Sequence, residues 1–178
     1  IEVLEAAHPV PDEAGLSGAK RLMESVTGLG PDDLVIALVC GGGSALLPAP
    51  AGSLTLADEI AVNEALLSSG APISAMNTVR KHISAIKGGR LAAAAYPARV
   101  VSLIVSDIPG DDPALVSSGP TVPDMASRAD ALAVIETYGM RLPDAVMQHL
   151  ASPAADAPKP DDPRFSGHEV HVIASAAR

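Results

Sequence analysis

The chain has 178 residues, of which 48% are hydrophobic and 19% charged, and this size and composition suit one well-buried globular domain. Its net charge of -9, lack of Trp and aromatic content of 2% exclude a nucleic-acid partner, because neither a basic surface nor stacking rings are available. No apolar run approaches the ~20 residues that cross a bilayer, so we expect no membrane partner and a small-molecule ligand instead.

The two ends of the chain indicate a segment of a longer protein. Residue 1 lies in an extended pattern without an initiating Met, and residues 168–178 predict a returning strand and the start of a truncated helix. We expect an α/β core over residues 1–150 and a mobile loop or linker over the Pro-, Asp- and Ala-rich residues 151–167. The single cysteine, Cys40, allows no internal disulfide and favours a cytoplasmic protein.

The predicted elements alternate between strands and helices, which is typical of α/β folds. A short strand is predicted over residues 2–7, then a helix over residues 15–27 whose apolar side chains share one face. A buried strand follows over residues 34–40. The next elements are helices over residues 55–69, 72–86 and 90–96, a second buried strand over residues 99–105, and helices over residues 126–138 and 143–150.

The strand over residues 34–40 stops at a glycine-rich turn, Gly41-Gly42-Gly43-Ser44. Residues without Cβ can direct their backbone N–H groups toward one anion, and Ser44 adds a hydroxyl donor. The turn therefore favours a site for phosphate or carboxylate. The alternative is a tight turn that binds nothing.

Two fingerprints of nucleotide binding fail at this turn. A dinucleotide loop requires Gly where Leu46 stands, and the acidic residues nearest the expected later position, Asp58 and Glu59, fall in a helical pattern. A Walker A loop requires Gly-Lys-Ser/Thr, yet no Lys occurs between Arg21 and Lys81. The turn therefore supports neither NAD binding nor a P-loop.

The helix predicted over residues 72–86 carries a polar band beside its apolar stripe. Four of the chain's 12 Lys and Arg residues fall between Arg80 and Arg90 in an otherwise acidic chain. This concentration favours an anionic ligand, whereas the alternative is a solvated helix face whose Lys and Arg stems lie along the core edge. The band and its extension comprise Asn77, Arg80, Lys81, Ser84, Lys87 and Arg90.

An acidic loop follows the second buried strand. Asp107, Asp111 and Asp112 lie within six residues, a pattern typical of a Mg²⁺ or general-base site, because hard cations prefer oxygen ligands. Open α/β sheets bind ligands beyond the carboxyl ends of their strands, which places this loop beside Gly41. The alternative is a plain turn whose Asp side chains cap their own backbone.

Together these stretches resemble the class II glycerate kinase (glycerate 2-kinase) family. The resemblance covers about residues 7–124, and four ordered motifs are more specific than any one of them. The matching segments are Ala7–Asp12, Gly41–Leu46, Asn77–His82 with Lys87–Leu91, and Ser106–Asp112 with Ser118–Thr121.

The resemblance implies an open, mostly parallel sheet with helices on both faces (Rossmann-like), forming one domain of a two-domain enzyme. It implies transfer of the ATP γ-phosphoryl group to the 2-hydroxyl of D-glycerate, giving 2-phosphoglycerate, with Mg²⁺ as cofactor. The expected partners are glycerate, a nucleotide and the missing C-terminal domain, with a homodimer left open. Some members are named hydroxypyruvate reductase, a name that implies NAD(P)H chemistry, and the failed dinucleotide fingerprint argues against it.

The hypothesis for the site assigns one role to each stretch. Backbone and hydroxyl groups of the glycine-rich turn bind carboxylate or phosphate, and Arg80 and Lys81 neutralise developing charge. Asp107, Asp111 or Asp112 holds Mg²⁺ or accepts the hydroxyl proton. Further contacts are expected from Asn77, Lys87, Arg90, Ser106 and Gly110. A Gly-Lys segment expected upstream is missing, so the segment alone is expected to be inactive; a non-catalytic module that binds a small anion remains the alternative.

Overall fold

The structure is a computed structural model, and it describes residues 2–123 and 125–175. Short helices and three strands alternate along the chain. The helices are α1 Glu13–Val26, α2 Gly43–Leu46, α3 Leu56–Ser68, α4 Ile73–His82, α5 Arg90–Ala94, α6 Arg128–Thr137 and α7 Asp144–Ala151. The strands are β1 Leu34–Cys40, β2 Arg99–Ser106 and β3 Glu169–Ser175, and 3-10 turns occur at Val116–Ser118, Pro153–Ala155 and Pro163–Phe165.

The three strands form a parallel sheet in the order β1-β2-β3. Cys40 at the end of β1 pairs with Val105 near the end of β2, so the residues that follow both strands leave the sheet at one edge. The apolar, β-branched sequences of β1 and β2 suit strands in such a sheet. The predicted α/β fold with a parallel sheet is confirmed.

The two faces of the sheet differ in cover. On one face, Val100 and Ile104 are 1% exposed, and Val100 packs in one cluster with residues of α1 and α5. On the other face, Leu34, Ile36 and Leu38 are 55%, 60% and 77% exposed. We call the surface formed by these three side chains the open sheet face. Within the described residues, the helices that pack on the sheet therefore cover one face.

A second hydrophobic core lies among helices away from the sheet. Residues of α3, α4, α6 and α7 form one buried cluster, and its fully buried members include Val62, Leu66, Val79, Val146 and Leu150. Helix α3 begins with a capping box, in which Thr55 and Asp58 satisfy each other's backbone N–H groups. This core fixes α4 between α3 and α6 and so positions the polar band of α4.

Two predicted elements differ in the structure. Residues 2–7 form no strand. Helix α4 ends at His82, four residues before the predicted end, because the backbone of residues 83–85 bonds to residues 49–51 instead: Ala51 N donates to Ile83 O at 2.9 Å, and Ala85 N donates to Ala49 O at 2.6 Å.

The segment 151–167, predicted as a mobile loop or linker, contains two 3-10 turns in the structure. Ala155 and Ala157 within it are buried. Arg90 Nη2 donates to Ala155 O at 2.9 Å, so the segment is tied to α5 by a hydrogen bond as well as by packing.

Candidate active site

The glycine-rich turn, α4 and the acidic loop meet in one cavity of about 260 Å³. The cavity lies beyond the carboxyl ends of β1 and β2, where parallel sheets place their ligands. Its lining residues are His8, Pro9, Gly42, Ser44, Ala45, Asn63, Leu67, Ile73, Asn77, Arg80, Asp107, Ile108, Leu115, Ser117 and Ser118. A cavity of this size and polarity suits a small molecule rather than a polymer.

Gly41 lets the acidic loop approach the end of β1. A Cβ at Gly41 would lie 1.8 Å from Asp107 Oδ2 and 1.9 Å from Asp107 Cγ. No other residue than glycine therefore fits position 41 while Asp107 keeps this place. The contact seats the Asp107 carboxylate against the turn, as the parallel arrangement of the strands predicted.

A serine turn, Ser117-Ser118, lines the cavity beside the glycine-rich turn. Ser117 and Ser118 adopt left-handed backbone conformations, with φ of 49° and 62°, which L residues with side chains rarely adopt and which cost on the order of 1–3 kcal/mol each. Ser117 Oγ donates to Cys40 O at 2.5 Å, and a Cβ at Gly43 would lie 2.6 Å from Ser117 Oγ. The strained turn thus packs directly against the glycine-rich turn, and Gly43 makes room for it.

Arg80 is held in the cavity wall by two asparagine side chains. Its Nε donates to Asn63 Oδ1 at 2.9 Å, and its Nη1 donates to Asn77 Oδ1 at 3.4 Å. Burial lowers the pKa of the Arg80 guanidinium, and the nearby Glu59 carboxylate opposes this effect. The remaining N–H groups of the guanidinium are available to an anion in the cavity.

Lys87, predicted as an anion contact, instead forms a buried ion pair. Its Nζ donates to Glu59 Oε1 at 2.8 Å, and the two side chains are 2% and 3% exposed. Glu59 Oε2 also accepts from Ala49 N at 3.0 Å. Burial lowers the pKa of the Lys87 ammonium, while the pair with Glu59 opposes the shift. The ammonium is thus engaged inside the protein and ties α3 to the turn between α4 and α5.

Replacing Lys87 with methionine is expected to lower the free energy of unfolding by about 3–5 kcal/mol, because it leaves the Glu59 carboxylate buried without its cation. Urea denaturation of the full-length protein measures the change. The matched control is Lys20→Met, whose exposed partner Glu24 lies 4.0 Å away and whose loss is expected to cost less than about 1 kcal/mol. Equal losses for the two variants would contradict the structural role.

Lys81 and Arg90 lie outside the cavity in the described part of the chain. The Lys81 side chain is 1% exposed. Arg90 Nη1 donates to the backbone oxygens of Lys81 and Lys87, at 2.5 Å and 3.2 Å. Burial lowers the pKa of Arg90, and Asp156 opposes this effect. Arg90, predicted as an anion contact, therefore satisfies carbonyl groups at the end of α4, in the turn that follows it and in the segment 151–167.

A larger and more open cleft of about 710 Å³ lies on the side of Arg90, between α5 and residues 156–164. Its cations are engaged within the protein: Arg164 Nη2 pairs with Asp162 Oδ2 at 2.6 Å, and Lys159 Nζ donates to the carbonyl oxygens of Met125 and Ala126. Of the predicted site residues, Arg90 alone is in the described lining of the cleft, whereas all three predicted stretches contribute to the smaller cavity, which is therefore the stronger candidate.

The acidic loop splits into one cavity residue and several loop residues. Asp107 lines the cavity. Asp111 Oδ1 accepts from Ser175 Oγ at 2.8 Å, and Asp112 Oδ1 accepts from Ala114 N at 2.9 Å. Gly110 takes a left-handed conformation in the turn, and Ser106 is 1% exposed. The structure thus separates Asp111 and Asp112, the predicted metal ligands, from the cavity that holds Asp107.

The side chains around the cavity fit a Mg²⁺ ion that takes a single carboxylate ligand from this part of the protein. Across residues 2–123 and 125–175, no three His, Cys, Asp or Glu side chains lie close enough together to hold a metal ion. Magnesium usually takes one or two protein carboxylates and completes its shell with water and phosphate oxygens. Asp107 can serve as such a carboxylate, and it stands close to the glycine-rich turn.

Several residues that line or support the cavity had no role predicted from the sequence. Asn63 holds Arg80 from a helix that carried no functional signal. Ser117 and Ser118 line the cavity in a conformation that a Ser-Ser pair does not indicate, although Gly119 after them marks a turn. His8 stood in a matching motif and was assigned no role, yet it lines the cavity.

Helices of the described residues are all too short or too polar to cross a lipid bilayer.

Two relatives of this chain carry different names. A putative hydroxypyruvate reductase of Agrobacterium vitis is 62% identical over 144 residues, which cover 81% of this chain and 33% of that protein. The D-glycerate 2-kinase of Thermotoga maritima is 40% identical over 178 residues, which cover 100% of this chain and 41% of that protein. The chain thus spans 33% to 41% of the length of these relatives.

Solved structures show the same fold. The crystal structure of glycerate kinase from Thermotoga maritima matches with a TM-score of 0.86 at 40% identity, covering 96% of this chain and 39% of that one. A protein of Pyrococcus horikoshii matches with a TM-score of 0.89 at 37% identity, covering 98% of this chain and 40% of that one. The α/β fold and the resemblance to glycerate kinases are therefore confirmed.

One family model matches most of the chain. It is described as "Domain of unknown function (DUF4147)" and covers residues 1–151. This range contains the glycine-rich turn, α4, the acidic loop and the serine turn, and so the whole lining of the cavity. The chain belongs to the DUF4147 family.

Proposed function

We propose that the full-length protein transfers the γ-phosphoryl group of ATP to D-glycerate, giving 2-phosphoglycerate. The observation that carries the proposal is the single cavity in which Arg80, Asp107 and the glycine-rich turn meet. Phosphoryl transfer depends mainly on positioning and on the neutralisation of negative charge. A cation, a carboxylate and backbone donors around one small cavity supply these requirements.

Each group in the cavity takes a defined role under this proposal. Arg80 binds an anionic group of the substrate or of the transferred phosphoryl group, with Asn63 and Asn77 fixing its direction. Asp107 holds Mg²⁺ or accepts the proton of the reacting hydroxyl. Magnesium, when bound, neutralises phosphate charge. Nucleotide and the remaining polypeptide complete the site, consistent with the small share of its relatives' length that this chain spans.

Reduction of hydroxypyruvate is the second candidate, favoured by the name of the Agrobacterium vitis relative. The residues of the turn argue against it. Leu46 occupies the position where a dinucleotide loop places its third glycine, and that glycine allows close packing of strand and helix around the pyrophosphate. The turn therefore lacks the glycine pattern of a dinucleotide-binding loop.

Parallel assays of the full-length protein test the two candidates. One contains glycerate, ATP and Mg²⁺ and follows ADP formation; the other contains hydroxypyruvate and NADH and follows the loss of NADH absorbance. We expect ADP formation that depends on glycerate, and no NADH oxidation above the background. NADH oxidation without ADP formation would reject the kinase in favour of the reductase. Calorimetric binding of glycerate with neither activity would indicate a non-catalytic binding module.

A further inference from the structure

A chain of hydrogen bonds runs from the backbone to Ser44 and has only one direction. It begins at the carbonyl oxygen of Leu115, which can only accept. Asn77 Nδ2 donates to this oxygen at 3.2 Å. The donor end of the Asn77 amide is therefore fixed toward Leu115, and its oxygen is directed to the other side.

The amide oxygen of Asn77 fixes the next hydrogen. Ser118 Oγ lies 3.0 Å from Asn77 Oδ1, and because an amide oxygen cannot donate, the single hydroxyl hydrogen of Ser118 must lie between them. Both side chains are buried, at 2% and 1% exposed, so water has little access to replace the bond. Ser118 can then only accept from any further partner.

Ser44 is that further partner. Its Oγ lies 3.0 Å from Ser118 Oγ, and since the hydrogen of Ser118 is already used, Ser44 must donate in this pair. The one hydrogen of the Ser44 hydroxyl is thus taken by Ser118, which lines the same cavity, and is not free for a ligand. Lone pairs of the oxygen remain for the ligand. Ser44 therefore presents an acceptor, which attracts an O–H group and repels a carboxylate or phosphate oxygen.

We propose that Ser44 recognises a hydroxyl group of the substrate by accepting its hydrogen bond, while Arg80 binds the anionic end. This inference rests on the proposed function and revises the sequence-based role of Ser44 as an anion donor. It makes the cavity selective for hydroxy acids, because an acid without the recognised hydroxyl leaves the Ser44 lone pairs without a donor.

Two mono-hydroxy acids show whether Ser44 contacts a hydroxyl group of the substrate or its anionic group. D-lactate keeps the 2-hydroxyl of D-glycerate and lacks the 3-hydroxyl, and 3-hydroxypropionate has the converse. Binding of all three acids to the full-length protein is measured by calorimetry, which requires no turnover. Ser44→Ala is expected to weaken glycerate and one mono-hydroxy acid about tenfold, and to leave the other unchanged. Equal weakening of all three acids, or of none, would overturn the proposal.

Two further variants guard the interpretation. Ser68→Ala removes an exposed hydroxyl on α3 that bonds to its own helix, and it is expected to change no affinity. Ser118→Ala removes the acceptor of the Ser44 hydrogen and lets that hydrogen turn into the cavity. Because the freed hydroxyl can then donate as well as accept, we expect a smaller preference between the two mono-hydroxy acids and no weaker binding of the acid that lacks the recognised hydroxyl. Uniform weakening by Ser118→Ala would contradict the inferred direction of the hydrogen bonds.

The binding and ADP-formation assays together distinguish a failure of this inference from a failure of the proposed function. Wild-type protein that binds glycerate but forms no ADP rejects the kinase and still reports the role of Ser44. Wild-type protein that forms ADP, with all three acids equally affected by Ser44→Ala, rejects the role of Ser44 alone. If none of the three acids binds, both are rejected.

Discussion

Replacing Arg80 with alanine in the full-length protein is expected to lower kcat/KM for glycerate at least about 100-fold. Arg80 is the cation in the wall of the candidate cavity, among the described residues, and two asparagine oxygens fix its guanidinium there. The alanine variant loses both the positive charge and the oriented N–H groups of the guanidinium. Steady-state kinetics with glycerate and ATP measure the effect.

Arg80→Lys and a distant arginine complete this experiment. Lysine retains the charge but cannot reproduce the two separate bonds to Asn63 and Asn77, so we expect partial activity. Arg164→Ala is the matched control, because Arg164 pairs with Asp162 in the larger cleft, and its kcat/KM is expected to stay near that of wild type. A value for Arg80→Ala within about threefold of wild type would contradict its role.

Asp107→Asn is expected to lower kcat at least about 100-fold, because the amide can neither accept the hydroxyl proton nor bind Mg²⁺ as a charged ligand. Titration with Mg²⁺ distinguishes the two roles: activity that recovers at high Mg²⁺ indicates a metal ligand, and activity that stays low indicates a base. Asp112→Asn is the matched control from the same loop, since Asp112 caps Ala114 N and lies outside the cavity lining.

Gly41→Ala tests the same carboxylate without altering it. An added Cβ would overlap Asp107 Oδ2, so the carboxylate must move while its chemistry remains intact. We expect activity to fall as for Asp107→Asn. Full activity in either variant would show that the position of Asp107 is not needed for the reaction.

The position of the site followed from the sequence because parallel strands obey simple rules. Two apolar runs that end in a glycine turn and an acidic loop predicted neighbouring strands with neighbouring ends, and the pairing of Cys40 with Val105 confirms this. The amphipathic pattern of α4 likewise placed Arg80 and Asn77 beside the core. Local sequence patterns were therefore enough to predict the position of the site, because the pairing of the strands brings these segments together.

Contacts between distant side chains could not be predicted in this way. Lys87 and Glu59 are 28 residues apart, and no local pattern indicates that the lysine would be buried against that carboxylate. Asn63 contacts Arg80 across 17 residues for the same reason. The left-handed conformation of Ser117 depends on packing against Cys40 and Gly43, which only the folded chain brings together.

The open sheet face has a practical consequence for work on this protein. Leu34, Ile36 and Leu38 form an aliphatic patch that is exposed to solvent, although both faces of a parallel sheet are ordinarily covered by helices. A fragment limited to residues 1–178 would expose this patch to solvent, and we expect such a fragment to aggregate. If such a fragment failed to turn over glycerate, the cause could be aggregation as well as missing catalytic groups. Activity should therefore be measured on the full-length protein.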